Sequence, residues 1–426
     1  MEYVFTNATV LDGTLHMEPR KAQTVYIKDG MILGITGDAD KYRGKRSIDL
    51  GGKYLMPGLI NLHVHLPGSG MPNYTKKQNA KTVRLLMSNI VTRFAVYSLC
   101  YKFALTELKS GVTTVRTVGG VGRTDSKIRN TVNKGLLPGP RLLVSDMAVS
   151  VPGGHMAGVL AYEAKSTEDC VKFVDKIAEG KPDLIKIMVT GGVLDAKVKG
   201  EPGELRMQPE LIRACCDEAH KLGYKVAAHV ESPLGMKLSL ENGVDTIEHG
   251  AAADDELLAL YKERGAAQVC TISPAVPLAL LPADFTHSTE LAKFNTQVVM
   301  DGMLDCAKKA LSRGIPVGLG TDTACPFVTH YDMWRELAYF KKYVGVSAAF
   351  ALHTATQVNA QIAGIDEVTG TVEIGKSADL LITEQNPLED LSALRRPAMV
   401  VMRGRLMKKP KLKKFEYVEK ELDKFL

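Results

Sequence analysis

Short apolar segments alternate with longer segments of helical period through the middle of the chain, and this alternation constrains the fold most. The first apolar segment ends in His63-Val64-His65, and seven others follow it, at residues 113–118, 141–145, 184–190, 225–230, 245–249, 267–273 and 316–321. Residues 209–220, between two of them, carry apolar side chains at the helical period. About eight strand–helix units over roughly 310 residues have the count and size of a (β/α)8 barrel. The sequence therefore predicts an α/β fold built on a TIM-like barrel.

A doubly wound open sheet is the alternative fold with the same alternation. Such sheets commonly carry a G-x-G-x-x-G turn after an early strand, where the backbone approaches a dinucleotide. No early strand candidate of this chain is followed by that turn. The barrel is therefore the preferred interpretation.

Both ends of the chain have a different, β-rich pattern. Residues 24–35 are two strand-like runs joined at Asp29-Gly30, a strong hairpin signal. The same character returns at residues 375–382 and 399–404. We therefore expect a small composite β-sandwich domain from residues 1–57 and 371–408, a barrel from 58–370, and a basic, amphipathic tail from 409–426.

The basic residues of the chain are concentrated near its C-terminus, although the net charge is only +6. A nucleic-acid surface and a solvated tail are the two interpretations of this basic segment, and residues 416–424 after it are typical of a short amphipathic helix. Interleaved aromatic residues for base stacking are missing from the basic segment, and no nucleic-acid motif occurs elsewhere. We expect this C-terminal helix to pack against the protein or to contact another subunit, and we expect no nucleic-acid partner.

The apolar runs and the cysteines indicate the cellular setting. No apolar run approaches membrane-spanning length, and the N-terminus lacks a basic region followed by an apolar one, so we expect neither a membrane segment nor a secretory signal. The seven cysteines follow no C-x-x-C pattern and are odd in number. Scattered thiols of this kind predict a cytoplasmic protein with reduced cysteines.

Polar residues that bind metals fall at the carboxyl ends of the predicted strands, which is where barrels carry their reactive groups. Alternate residues of a strand project from the same face, so His63 and His65 would point together. The other candidates lie on the fourth, fifth, sixth and eighth strands: Lys186, His229, His249 and Asp322. Taken jointly, these residues predict a metal site.

Lys186 lies in the middle of an apolar strand, in Leu184-Ile185-Lys186-Ile187-Met188-Val189. A charged, unpaired lysine there would cost several kcal/mol. One compensation is an ion pair with an acid such as Asp322. The other is a neutral amine that captures carbon dioxide as a carbamate, whose two oxygens can bridge two metal ions. Four neutral histidines and Asp322 would complete such a two-ion site.

These motifs resemble those of the amidohydrolase superfamily. The segment Met56-Pro57-Gly58-Leu59-Ile60-Asn61-Leu62-His63-Val64-His65 is similar to its first-strand signature. Residues 184–192 resemble the carboxylated-lysine strand of the imidazolonepropionase-related branch, which includes prolidase-like and other Xaa dipeptidases, and residues 245–250 and 320–322 fit the same branch. The similarity extends from about residue 3 to residue 408, a span that takes in the expected composite β domain.

The resemblance implies a role for each metal-site residue. His63, His65 and Asp322 would hold the more buried of two divalent ions, with zinc expected, and His229 and His249 the more exposed one. Carboxylated Lys186 and a hydroxide would bridge the ions. Asp322 would take the proton of the hydroxide as it attacks an amide carbonyl, and deliver that proton to the leaving amine.

The implied activity is hydrolysis of an amide bond in a small-molecule substrate such as a dipeptide or an N-acyl amino acid. One alternative is a mononuclear-metal deaminase or cyclic-amide hydrolase of imidazolonepropionase type. A second is a catalytically inactive scaffold, but such family members lose ligands, whereas every expected position is filled here. The oligomeric state stays open, although family members often pair through barrel helices and a homo-oligomer is compatible with the resemblance.

Three further residues are candidates for substrate binding: His155, His330 and Arg116. The alternatives are a solvent-facing loop histidine for His155, helix capping for His330 and bracing of the barrel for Arg116. The chain also departs from the family in two places. Glu231 stands where prolidase-like members carry tyrosine, which puts Xaa-Pro specificity in doubt, and Thr117 stands where an aspartate is common.

Overall fold

The computed structural model describes residues 1–38, 40–72 and 79–426 as a mixed α/β protein. Its strands in chain order are β1 (Glu2–Val10), β2 (Arg20–Lys28), β3 (Met31–Thr36), β4 (Ser47–Asp49), β5 (Tyr54–Pro57), β6 (Leu59–Val64), β7 (Val112–Thr117), β8 (Arg141–Val144), β9 (Ala148–Ser150), β10 (Ala161–Glu163), β11 (Ile185–Met188), β12 (Val226–Val230), β13 (Thr246–His249), β14 (Ala267–Cys270), β15 (Val317–Leu319), β16 (Leu380–Thr383), β17 (Met399–Met402) and β18 (Arg405–Lys408).

Helices separate most of the central strands. They are α1 (Ala80–Leu86), α2 (Ile90–Lys109), α3 (Thr124–Asn133), α4 (Thr167–Ala178), α5 (Pro209–Lys221), α6 (Pro233–Glu241), α7 (Asp255–Arg264), α8 (Ile272–Leu280), α9 (Ala283–Thr286), α10 (Glu290–Ser312), α11 (Met333–Tyr339), α12 (Ala348–His353), α13 (Asn359–Ala363) and α14 (Glu416–Leu422). Two π-helical turns cover Phe340–Val344 and Thr354–Val358, and two 3-10 turns cover Leu391–Arg395 and Asp423–Phe425.

The central strands form two parallel sheets. One has seven strands in the order β10-β9-β11-β12-β13-β14-β15, and the other has three in the order β6-β7-β8. The amide of Asp322, after β15, donates to the carbonyl of His63 on β6 at 2.8 Å, and the amide of Asp183 donates to that of Val144 at 2.8 Å. These bonds join the two sheets on both sides, an order of strands consistent with the predicted TIM-like barrel.

The predicted strand at residues 267–273 is wrong at its C-terminal end, because β14 ends at Cys270 and α8 begins at Ile272. The amides of Ile272 and Ser273 both donate to the carboxylate of Glu336, each at 2.7 Å. A carboxylate that accepts the free amides of a first helical turn stabilises a helix start. Glu336 comes from a distant part of the chain, so the local apolar pattern could not reveal this cap.

A third sheet contains strands from both ends of the chain. Its order is β18-β17-β16-β5-β1-β2-β3, with β4 beside β1. Its core includes five fully buried side chains, those of Phe5, Val25, Ile27, Leu380 and Val401. The two termini therefore share one hydrogen-bonded sheet. The more specific β-sandwich arrangement stays a prediction.

The C-terminal helix packs against the rest of the protein, which is one of the two contacts expected for residues 416–424. Val418 and Leu422 of α14 are buried with Leu281 and Phe327 in one apolar cluster. Phe327 belongs to the segment that follows β15, so the tail supports the loop after the eighth barrel strand. Among the described residues, no helix has both the length and the apolar character needed to cross a membrane.

Candidate metal centre

The first group of site residues lies where β6 meets β15. The Nε2 atoms of His63 and His65 lie 3.4 Å and 3.3 Å from the same oxygen of Asp322, Oδ1. This approach depends on Gly320, since a Cβ atom there would lie 2.4 Å from Cβ of His63. The structure therefore brings together the three residues predicted to hold the more buried ion.

The second group lies at the ends of β12 and β13. The ring centroids of His229 and His249 are 4.7 Å apart, and those of His63 and His249 are 4.9 Å apart. One ligand atom from each of His63, His249 and Asp322 lies within 4.8 Å of the others, and the same holds for a group of His229, Glu231 and His249. Two adjoining sets of side chains could therefore each hold a metal ion.

Each of the four predicted histidine ligands has one ring nitrogen within hydrogen-bond distance of a group that is not itself a predicted ligand. The bonds are His63 Nδ1 to Glu248 Oε2 (2.7 Å), His65 Nδ1 to the Gly119 carbonyl (2.9 Å), His229 Nε2 to the Gly191 carbonyl (3.2 Å) and His249 Nδ1 to Thr271 Oγ1 (2.7 Å). Such bonds fix the orientation of a metal-binding imidazole and leave its other nitrogen free for the ion. The pattern fits a metal centre better than a set of core histidines.

Burial sets the protonation states that a metal requires. It lowers the pKa of His63 to about 4, and it lowers the pKa values of His229 and His249 well below the ordinary one. Burial alone would raise the pKa of Asp322, but His63 and His65 lower it well below the usual range. Neutral imidazoles and an ionised carboxylate are the forms that bind divalent ions.

Lys186 lies on β11 with a side chain that is almost fully buried. Its Nζ atom has no hydrogen-bond partner in the described part of the chain, so the ion pair with Asp322 is not formed. Burial lowers the pKa of this amine to about 8, although Glu248 opposes the shift. An orphaned, readily deprotonated amine beside four imidazoles and a carboxylate fits a carbamate that bridges two ions.

Arg116 and Glu248 form an outer layer behind the histidines. Arg116 donates from Nη2 to Glu248 Oε1 at 2.7 Å, from Nε to the Leu62 carbonyl at 2.6 Å and from Nη1 to Thr246 Oγ1 at 3.3 Å. Burial would raise the pKa of Glu248, but Arg116 and His63 lower it below its usual range. These contacts favour the bracing role for Arg116 over binding of a substrate carboxylate.

Glu248 itself was missed by the sequence interpretation. The available signal was a charged residue inside an apolar strand, the same signal that singled out Lys186. Glu248 is 0% exposed, and its two oxygens contact His63 and Arg116.

The structure separates the two remaining histidine candidates. His155 stacks on His229, with ring centroids 4.1 Å apart, and its Nδ1 atom lies 2.6 Å from Asp195 Oδ2. It therefore borders the metal centre. The ring nitrogens of His330 both have partners, Nδ1 with Glu107 at 3.1 Å and Nε2 with the Gly68 carbonyl at 2.7 Å. Both ring nitrogens of His330 are thus engaged within the protein, which favours a structural role over substrate binding.

The two positions that depart from the family lie close to the centre. Glu231 directly follows β12, and its Oε2 atom is buried without a hydrogen-bond partner among the described residues. Burial, together with the charge of Asp322, raises the pKa of Glu231 to about 8. Thr117 ends β7 and is fully buried. Glu231 groups with two of the predicted metal ligands, His229 and His249.

Comparison with known proteins gives consistent matches over nearly the whole chain. The profile of the amidohydrolase family matches residues 54–407. Ochratoxinase of Aspergillus niger is 26% identical over 435 residues, which cover 92% of this chain and 84% of that protein. A crystal structure of a candidate prolidase from Bifidobacterium longum is 36% identical with a TM-score of 0.88, covering 99% of this chain and 98% of the other. A Xaa-Pro dipeptidase with bound methionine is 27% identical with a TM-score of 0.83, covering 96% and 100%.

Proposed function

The chain belongs to the amidohydrolase family and is a hydrolytic enzyme, and from this premise we propose that it cleaves an amide bond of a dipeptide or N-acyl amino acid at a two-metal centre. Family membership confirms the resemblance seen in the sequence. The observation that carries the two-metal proposal is the buried Nζ atom of Lys186, which has no partner among the described residues. A carbamate on that atom, bridging two ions, gives the orphaned group a role.

The residues divide into two sets around this bridge. His63, His65 and Asp322 would hold one divalent ion, His229 and His249 the other, and carboxylated Lys186 would contact both. Zinc is the proposed metal, because imidazole and carboxylate are its common ligands at catalytic sites. When bound, the two ions would lower the pKa of a shared water and polarise the substrate carbonyl.

The chain itself would supply the bridge and the proton transfers. The unprotonated amine of Lys186 forms a bond to the carbon of carbon dioxide and releases one proton, which leaves a carbamate with a single negative charge. Asp322 is ionised, and its Oδ1 atom lies beside the two ring nitrogens of the first set. It would accept the proton of the attacking water and pass it to the leaving amine.

His155 is the proposed contact for the polar end of the substrate. Its Nδ1 atom is engaged by Asp195, which leaves Nε2 for a substrate carboxylate or carbonyl oxygen. Its stacking on His229, a proposed ligand of the more exposed ion, supports this role. A substrate held there would have its amide bond close to the centre.

A mononuclear enzyme of the deaminase or cyclic-amide hydrolase type is the second candidate. The group of His63, His249 and Asp322 could hold a single ion without help from other residues. A single ion at that group would leave Lys186 without the bridging role that its burial suggests. The unpartnered amine therefore favours two ions.

A substrate screen tests the proposed activity. The enzyme is loaded with zinc in bicarbonate buffer and supplied with matched dipeptides and N-acyl amino acids, and release of the free amine is measured. Cleavage of linear amides is the expected result, and a Lys186→Ala variant serves as the inactive control. Turnover confined to ring opening of cyclic amides or release of ammonia would contradict the proposal.

A further inference from the structure

Glu231 is the charged residue near the centre to which the proposed mechanism gives no task. Its side chain is buried beside the ends of β12 and β13, and its Oε2 atom has no hydrogen-bond partner in the described ranges. One of its oxygens lies within 4.8 Å of ligand nitrogens of both His229 and His249. The carboxylate therefore faces the same point as the two histidines of the more exposed ion.

The backbone of Val193 hydrogen-bonds to Glu231, but the described surroundings provide no cation for its charge. None of the described lysine, arginine or histidine side chains forms an ion pair with it, whereas Asp322 and Asp195 add negative charge nearby. A buried carboxylate normally has a hydrogen-bonded cation or coordinates a metal. A divalent ion between Glu231 and the two histidines would supply the counter-charge that the ionised carboxylate lacks.

We propose that Glu231 is a direct ligand of the more exposed metal ion, in addition to His229 and His249. This inference rests on the proposed two-ion centre and extends it with a ligand that the sequence resemblance did not supply. A carboxylate oxygen at this position raises the number of protein ligands on that ion. It also makes the site more favourable for ions that prefer oxygen, such as Mn²⁺, relative to a site with nitrogen ligands alone.

Metal titration of Glu231→Gln tests the inference without reference to turnover. Metal-free wild-type and variant enzymes are titrated with Zn²⁺ against a chelator, and each is also titrated with Co²⁺ to record the visible absorption of the bound ion. We expect E231Q to bind the first ion as the wild type does and the second about tenfold to a hundredfold more weakly. The cobalt spectrum should change with the second equivalent only, because loss of a ligand alters the coordination of that ion.

Asp195→Asn is the matched control, because it removes a negative charge from the same region while its carboxylate contacts His155. It should retain the affinity for the second ion. Glu231→Asp, which keeps the carboxylate at a shorter reach, should give an intermediate affinity and replaces E231Q if that variant does not fold. Circular dichroism of the metal-free proteins verifies folding.

Unchanged affinity and an unchanged cobalt spectrum in E231Q would overturn the inference, and a raised KM for substrates with a free amine would then assign the carboxylate to substrate binding. A wild-type enzyme that binds one ion would contradict the proposed two-ion function instead. In that event, weaker binding of the single ion by E231Q would still support Glu231 as a ligand, and unchanged binding would overturn it.

Discussion

At the scale of single residues, the site consists of polar side chains buried in apolar strands, and Lys186 is the clearest case. Replacing it with alanine removes the proposed bridge. We expect K186A to lose activity by about a hundredfold or more, since even residues that only support metal ligands cost 10–100-fold when mutated. Added short-chain carboxylates such as propionate should restore part of the rate, because they can occupy the space of the carbamate. Activity equal to that of the wild type, measured with the amide substrate, would exclude the bridge.

Glu248 offers a second test at this scale, since it orients His63 and pairs with Arg116. In Glu248→Gln the neutral amide cannot satisfy both partners as the carboxylate does. We expect the affinity for the more buried ion to fall about 10–100-fold, as measured by chelator competition. Glu107→Gln is the matched control: it also alters a buried glutamate bonded to a histidine, but that histidine is His330. Equal metal affinities in E248Q and E107Q would contradict this role.

The sequence predicted the residues that stand at strand ends in recognisable motifs, and it predicted less about the groups that surround them. His63 and His65 could be identified because their spacing places both on one strand face. The support from Glu248 depends on the meeting of β6, β7 and β13, which no local pattern encodes. The absence of a hydrogen-bond partner for Oε2 of Glu231 among the described residues is likewise a property of the folded chain. It could not be predicted, because every element that packs around Glu231 has to be known first.

At the scale of elements, the close approach of β15 to β6 brings Asp322 to His63 and His65 and so forms the first proposed metal position. A Cβ atom on Gly320 would lie 2.5 Å from the backbone nitrogen of His63. Gly320→Ala should therefore destabilise the protein by about 1–3 kcal/mol and weaken metal binding, because one strand must shift. Chemical unfolding and metal titration measure the two effects. Gly37→Ala is the control, since its Cβ atom would meet its nearest neighbour at 3.7 Å, and the prediction fails if both variants behave alike.

The C-terminal helix gives a prediction about stability. Arg335 is buried and donates to Glu419 at 2.9 Å and to Asp423 at 2.7 Å. Arg335→Met should cost about 3 kcal/mol of unfolding free energy, at the low end for a broken buried pair because Arg395 also contacts Glu419. Arg313→Met, which breaks an exposed pair with Asp255, should cost less than about 1 kcal/mol. Urea unfolding of both variants makes the comparison, and equal losses would contradict it.

The same pair predicts a pH dependence. Burial alone would raise the pKa of Glu419, but Arg335 and Lys414 hold it below its ordinary value of 4.5. A carboxyl group whose pKa is lowered by folding adds stability above its unfolded pKa, and that stability is lost as the pH falls through the folded value. Asp332 also lies beside Arg335, and burial raises its pKa to about 6 although Arg335 opposes the shift. The difference in unfolding free energy between wild type and R335M should therefore begin to shrink as the pH falls to about 6 and shrink further below about pH 4.5. A difference that grows on acidification would contradict this assignment.

Element positions were largely predictable, and their ends were less so. The central parallel strands could be predicted from short, nearly continuous apolar runs, because such strands are buried on both faces. The change from strand to helix after Cys270 was missed because its cause, the carboxylate of Glu336, lies on α11. Capping from a distant element cannot be inferred from a local pattern.

At the scale of the whole molecule, the two ends of the chain meet in one sheet beside the barrel. Leu380 on β16 pairs with Pro57 on β5, directly before the strand that carries His63. The similar β-rich character of the two ends predicted this association, whereas the identity of the paired strands required the folded chain. The sheet thus holds the chain segments that come directly before and directly after the central strands and helices.

The central claim is that this barrel holds two metal ions bridged by a modified lysine. The most direct measurement is a crystal structure of the enzyme grown with zinc and bicarbonate, with anomalous scattering recorded at the zinc edge. We predict two anomalous peaks per chain, one beside His63, His65 and Asp322 and one beside His229 and His249, with density for a carbamate on Nζ of Lys186 between them. A single peak with an unmodified Lys186 would contradict the claim.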